Sequence, residues 1–216
     1  MRYVDRVDAG RRLAPIVMSA LEGRVGKPLV LGVPRGGVVV GYEVAKTIGG
    51  QLGIALARKI GAPYNTELAI GAIGEYGEPV LDHDLIDRLD VSKRYLLDTI
   101  KSESRELQRR AHIYRGDAPP PEVAGRVVVV VDDGIATGAT LRAVLEAVRS
   151  ENPEYLMCAV PVGAPNSVAM VARHIDAMVC PLTPRWFRAV GEWYESFVQT
   201  SDEQVVDILA VARLSL

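Results

Sequence analysis

The stretch Val127-Val-Val-Val-Val-Asp-Asp-Gly-Ile-Ala-Thr-Gly-Ala-Thr140 decides the architecture. Its valine run has no polar alternate position, which suits a strand buried on both faces of a helix-covered parallel sheet. The strand tip delivers two carboxylates, Asp132 and Asp133. Gly134 and Gly138 then lack the side chains that would screen backbone N–H groups from an anion, and Thr137 and Thr140 add hydroxyl donors. Leu141, Val144, Leu145 and Val148 recur at helical spacing, so a helix starts directly behind the turn. Its unpaired N–H groups and the positive end of its dipole would face the loop. Residues Gly134, Ile135, Ala136, Thr137, Gly138, Ala139 and Thr140 together read as a grip for a phosphomonoester. The loop lacks the lysine of a Walker A motif and the GxGxxG of a dinucleotide fold, so neither of those readings fits.

Carboxylates repel phosphate, so Asp132 and Asp133 need another reason to stand there. The cis-diol hydroxyls of a sugar would suit them, as donors to charged acceptors. A metal ion is the other option, either directly or through the sugar or a water. The bland alternative is a strand–turn–helix with Asp as a turn former. The joint presence of carboxylates, glycines and hydroxyls speaks against it.

Outward from this turn, apolar strands alternate with helical patterns. Pro28–Val33 reads as a short strand, and Val40, Gly41, Val44, Ala45 and Ile48 as a helix face ended by Gly49-Gly50. Leu52–Ala57 reads as a strand running into Arg58-Lys59. Tyr155–Val162 and Ala177–Leu182 are further strands, with a helix face at Val168, Val171, Ala172 and Ile175 between them. Leu13, Ile16, Val17, Ala20 and Leu21 mark an N-terminal helix that either starts near Pro15 or is kinked there. Val205, Ile208, Leu209 and Ala212 mark a closing helix, capped by Thr200 with Glu203 or by Ser201 with Gln204. Such alternation implies βαβ units: an α/β domain with an open, mainly parallel sheet and helices on both faces.

Residues 62–121 break the alternation. Leu68–Ile73 and Glu78–Leu81 suggest a hairpin around Tyr76-Gly77, and Leu96, Ile100, Leu107, Ala111 and Tyr114 line a long helix. His83, between Asp82 and Asp84, reads as part of a solvated loop, since no second His or Cys has ligand spacing. The excursion could cover a site or form the surface of a homodimer.

Ligands of open parallel sheets bind at the carboxyl ends of the strands. Two more segments lie at such ends. In the first, Pro34-Arg35-Gly36-Gly37 combines exposed backbone N–H groups with an arginine fork for phosphate oxygens. Arg58 and Lys59, after the next strand, would face the same edge, although a solvated basic pair is an equally simple reading. The second, Trp186 to Phe197, contains both tryptophans and both phenylalanines. Trp186 or Phe187 could stack on a heterocycle. Trp193, Tyr194 and Phe197 read instead as packing onto the sheet.

The bulk properties narrow the partners. The chain has 216 residues, enough for one well-filled domain, and a formal net charge of -2. No basic field favours nucleic acid. The valine run is too short to span a bilayer, and no secretory signal is visible, so a cytoplasmic protein without a membrane partner is expected. Cys158 and Cys180 lie in apolar runs and read as buried hydrophobes.

Val128–Thr140 resembles the phosphoribosyl-pyrophosphate signature of type I phosphoribosyltransferases, and residues 25–60 and 125–200 resemble their core. The whole chain resembles a bacterial branch of that family through LGVPRGG (31–37), RKIGAP (58–63), ELAIGA (67–72), the 131–140 turn and VGEWY (190–194). The resemblance implies one domain over residues 1–216, an insertion at 62–121 and a hood at 182–200. It implies Mg²⁺-dependent transfer of ribose 5-phosphate from phosphoribosyl pyrophosphate to a nitrogen base. Asp132 and Asp133 would contact the ribose hydroxyls, residues 134–140 would wrap the 5′-phosphate, and Pro34–Gly37, with a cis bond at Pro34–Arg35, would hold the diphosphate. Pro184, Phe187, Val190, Gly191 and Tyr194 follow a pattern similar to the hood of 6-oxopurine enzymes. Those enzymes carry an acidic residue where Ala136 stands, so the acceptor base stays open. Two other readings also stay open: a regulatory protein that binds a phosphoribosyl ligand without turnover, and a phosphatase or nucleotide hydrolase using the same phosphate loop.

Overall fold

The computed structural model describes residues 2–75 and 78–215. The first half of the core runs α1 (Arg6–Ala20), β1 (Leu29–Gly32), α2 (Gly36–Ile48) and β2 (Gln51–Ile54). An excursion follows: β3 (Ala57–Ala62), β4 (Asn65–Gly74), β5 (Val80–Leu81), α3 (His83–Arg88) and α4 (Lys93–Arg115). The core resumes with β6 (Val127–Val131), α5 (Ala139–Ser150), β7 (Tyr155–Ala159), α6 (Pro165–Val171), β8 (Ala177–Val179) and α7 (Asp202–Ser215).

The main sheet has five strands in the order β2-β1-β6-β7-β8, all parallel. β6 lies at its centre because nothing in its valine run needs water. The run splits its side chains by parity, as a strand must. Val127, Val129 and Val131 join the core with Leu13 and Val17 of α1, Val40 and Val44 of α2, and Leu209 of α7. Val128 and Val130 face the other way, into a core with Leu141, Val144 and Leu145 of α5. Both faces are therefore covered, and the α/β expectation holds.

α1 begins at Arg6, well before Pro15, because Asp5 caps it by accepting a hydrogen bond from the Asp8 amide at 2.8 Å. At α7 the reciprocal cap is Ser201 with Gln204: the Gln204 amide donates to Ser201 Oγ at 3.2 Å and the Ser201 amide to Gln204 Oε1 at 2.9 Å.

The expectation of one strand over Leu52–Ala57 needs correction. β2 ends at Ile54, and β3 starts a separate three-stranded antiparallel sheet, β3-β4-β5. Charged Arg58 and Lys59 could not continue inside a sheet covered on both faces. The expected turn at Tyr76-Gly77 lies outside the described residues, while its arms are β4 and β5. The Asp82–Asp84 segment, expected as loop, opens α3: Asp82 Oδ1 accepts from the Leu85 amide at 2.9 Å. α4 spans both units. Its Tyr95, Leu96 and Ile100 pack with Ile60 and Ile70 of the small sheet, whereas Leu107 and Tyr114 enter the main core.

No helix among the described residues is long and apolar enough to cross a membrane. Both cysteines are free. Burial pushes the Cys158 thiol well up and raises Cys180 to about 11, so neither supplies a thiolate at neutral pH.

Candidate functional site

The turn after β6 and the turn after β1 meet at the carboxyl edge of the sheet. Their contact is tight enough to explain the glycines between them. A Cβ on Gly37 would lie 2.6 Å from the Val131 carbonyl oxygen and 2.8 Å from Asp132 Cα. A Cβ on Gly36 would fall on Asp133 Oδ2. Pro34–Gly37 is therefore pressed against the acidic pair, and the Pro34–Arg35 peptide bond is cis. Arg35 immediately precedes α2, with its guanidinium 3.8 Å from Asp202.

Asp133 has a partner that the sequence did not suggest. Arg6 Nε donates to Asp133 Oδ2 at 2.7 Å, and both side chains are largely buried. Arg6 is held on two other sides. Its Nη1 donates to the Val198 carbonyl at 2.7 Å, and its guanidinium lies 3.9 Å from the centre of the Phe197 ring. Nothing in the local spacing of an N-terminal helix announces a residue paired across most of the chain.

Asp132 is partly accessible but densely surrounded. Its Oδ1 accepts from the Asp133 amide at 2.8 Å. Burial first, then the charge of Asp133, pushes the Asp132 carboxyl well above the ordinary carboxylate range. Burial also raises Asp133, against the opposing charge of Arg6. Two crowded carboxyls of this kind gain more than exposed ones would from hydroxyl donors or a cation.

The 134–140 turn is anchored from its far side. The Ile135 amide donates to the Val162 carbonyl and the Ala164 amide to the Ile135 carbonyl, each at 2.9 Å. Ser167 Oγ donates to the Ala136 carbonyl at 2.6 Å, a support that sequence reading missed. Gly138 takes φ 79° just before α5, a left-handed conformation that favours glycine and aims the turn at the helix start. Thr137 and Thr140 are exposed, and Thr137 Oγ1 accepts from the Ala139 amide at 3.4 Å.

The aromatic segment divides. Tyr194 is buried and donates its O–H to the Asp133 carbonyl at 2.6 Å, and its ring lies 4.9 Å from Phe197 and 5.5 Å from Tyr3. A Cβ on Gly134 would lie 2.6 Å from Val190 Cγ1, so this segment rests directly on the 134–140 turn. The N-terminal arm ties it down: the Tyr3 amide donates to the Trp193 carbonyl and the Glu195 amide to the Tyr3 carbonyl, each at 2.8 Å. Phe187 packs into the same cluster. Trp186 stays 81% exposed. Arg58 and Lys59 stand apart from this arrangement, on β3 of the small sheet, where Arg58 is paired with Glu103 of α4.

A doubly wound sheet with a glycine- and threonine-bearing turn and an acidic pair at its carboxyl edge gathers these groups where open parallel sheets take their ligands. The phosphoribosyl transferase domain matches residues 4–196, and the chain belongs to that family. A Mycobacterium tuberculosis protein provisionally named a phosphoribosyl transferase is 42% identical over 207 residues, or 96% of this chain and 46% of its own length. The chain thus spans about half the length of the curated relatives it matches. The crystal structure of TT1426 from Thermus thermophilus superposes with a TM-score of 0.88 at 41% identity, over 97% of this chain and 98% of that one. AQ2163 from Aquifex aeolicus shares the fold at a TM-score of 0.50 and 12% identity, over 86% of this chain and 78% of its own.

Proposed function

We propose that the protein transfers ribose 5-phosphate from phosphoribosyl pyrophosphate to a nitrogen base and releases pyrophosphate. One observation carries the reading: the Pro34–Gly37 turn is packed against the Asp132–Asp133 pair beside the 134–140 turn. Diphosphate, ribose and 5′-phosphate would then each meet a suitable group along one edge. In the reaction the bond from sugar C1 to the diphosphate oxygen breaks, and its electron pair leaves with the diphosphate. The base nitrogen forms the new bond to C1 and gives up its proton. Positive charge builds on the sugar as the bond loosens.

The chain's part is positioning and electrostatics. Backbone N–H groups and hydroxyls of residues 134–140 would anchor the 5′-phosphate. Asp132 and Asp133 would accept the ribose hydroxyls, and Arg35 with the amides of Gly36 and Gly37 would face the diphosphate. Among the described residues no cluster of three His, Cys, Asp or Glu forms a metal site. The carboxyls of Asp132 and Asp133, crowded together, are the groups that would hold Mg²⁺ there, directly or through the ribose or a water. When bound, it would supply a Lewis acid to the leaving diphosphate. Phe187 is packed, whereas Trp186 is 81% exposed with the Arg185 guanidinium 5.5 Å from its ring centre, so Trp186 is the more accessible of the two rings for a base.

The test is incubation with labelled phosphoribosyl pyrophosphate, Mg²⁺ and a panel of bases. Pyrophosphate release that requires a base is expected. Donor binding without turnover across the panel would replace this reading with that of a regulatory ligand-binding protein. The Asp132→Asn, Asp133→Asn double variant should fold and lose ribose 5-phosphate binding; unchanged affinity would remove the ribose role from the pair.

A further inference from the structure

Beside the Pro34–Gly37 turn lies a polar cavity of about 350 Å³, walled by Pro34, Arg35, Arg109, Arg110, Tyr114 and Asp202. Two of its arginines come from α4, within the segment that breaks the βαβ pattern. We propose that Arg109 and Arg110, with Arg35, form the receiving site for the diphosphate leaving group. The inference rests on the phosphoribosyl-transfer reading above and adds residues from outside the core to it.

Three features support the site. The first is charge: three guanidiniums face the side chains of Glu106 and Asp202, so positive charge is in excess. The second is rigidity. Leu107 and Tyr114 of α4 are buried in the main core, which fixes the face that carries Arg109 and Arg110. Glu106 aligns the two heads. It accepts from Arg109 Nε at 2.8 Å and Nη2 at 2.9 Å, and from Arg110 Nε at 2.9 Å. These hydrogen bonds hold the Glu106 carboxyl down to about 2, so it remains charged at neutral pH. Among the described residues they occupy Nε and one terminal nitrogen of Arg109 and only Nε of Arg110, which leaves terminal N–H groups for a ligand. The third is position. Arg35 reaches from the diphosphate-facing turn toward Asp202, whose Oδ1 accepts from Tyr114 Oη at 2.6 Å. Arg35 therefore joins the turn to the α4 face. A compact polyanion with several oxygens suits convergent planar forks better than a single phosphate does, and the 5′-phosphate already has its own turn.

The experiment is calorimetric titration of the full chain, in Mg²⁺, with inorganic pyrophosphate, inorganic phosphate and ribose 5-phosphate. Wild type, the Arg109→Ala, Arg110→Ala double variant and the matching Lys, Lys variant are compared. Both arginines are partly exposed, so a combined loss of about tenfold in pyrophosphate affinity is expected for the Ala variant. Ribose 5-phosphate affinity should not change. The Lys variant should recover part of the loss, since it keeps the charge without the fork. Unchanged pyrophosphate affinity in the Ala variant would overturn the proposal. Equal binding of phosphate and pyrophosphate by the wild type would also overturn it, reducing the cavity to an unselective anion patch. If the wild type bound neither pyrophosphate nor ribose 5-phosphate, the transfer reading itself would fall, which is a separate result.

Discussion

Replacing Gly36 by alanine adds one methyl group where the two turns of the site meet. Gly36 is not among the glycines with positive φ, so space is the obstacle to a side chain. The new Cβ would fall on Asp133 Oδ2, 2.5 Å from Arg6 Nε and 2.7 Å from Asp133 Cγ. Neither partner can yield easily. The Asp133 carbonyl holds the Tyr194 hydroxyl at 2.6 Å, and Arg6 is fixed by the Val198 carbonyl at 2.7 Å. Overpacking alone costs about 1–3 kcal/mol. Removing one partner of a buried ion pair costs about 3–5 kcal/mol, but here both charges survive and their contact is only strained, so only part of that applies. The better helix propensity of alanine returns at most about 1 kcal/mol. The expected net loss is about 2–4 kcal/mol, which for a chain of this length lowers Tm by roughly 4–16 °C. Calorimetry on the single variants and on Gly36→Ala in an Asp133→Ala background tests the cause. With Oδ2 and Cγ gone, only the 2.5 Å approach to Arg6 Nε remains, so the methyl group should cost less, giving a coupling of about 1–3 kcal/mol. Equal cost in both backgrounds would show that Gly36 is not held small by Asp133, and the packed-turn argument would fail.

Other outcomes follow from the same geometry. Tyr194→Phe leaves the Asp133 carbonyl without its 2.6 Å donor and should cost about 1–3 kcal/mol, read as a lower denaturant midpoint. Ser201→Ala removes the cap on α7 and should cost about 1 kcal/mol, or roughly 2–4 °C in Tm. The acidic pair makes a pH prediction. Both carboxyls titrate above the ordinary 3.8 when folded, so the folded chain holds these protons to higher pH than the unfolded chain does. Their stabilising contribution is complete below 3.8 and is lost as pH rises through the folded values. The ligand-free wild type should therefore lose stability relative to Asp132→Asn as pH rises toward neutrality. A gap moving the opposite way in thermal scans would contradict the burial argument.

The central sheet was legible because its signals are local. A five-valine run can satisfy its apolar side chains only with cover on both faces, and the turn behind it carries carboxylates, glycines and hydroxyls within a few residues. The boundary after β2 was less legible. Leu52–Ala57 is apolar throughout, and only the change of sheet at Ala55–Leu56 separates its two parts. α3 was missed because a six-residue helix, under two turns, has too few residues to show a period, although Asp82 offered the cap.

What the sequence determined by itself was the doubly covered parallel sheet and the glycine-bearing turn between its central strand and the next helix, since strand burial and turn chemistry depend on neighbours along the chain. What the tertiary structure decided was the company of that turn. Arg6 reaches Asp133 across 127 positions, Ser167 supports Ala136, Tyr194 caps Asp133, and α4 brings Arg109 and Arg110 to the Pro34–Arg35 turn. Such pairings join residues on different elements whose separation in sequence has no period to detect. They exist only once the two faces of the sheet have closed and burial has set the energetic need for a partner.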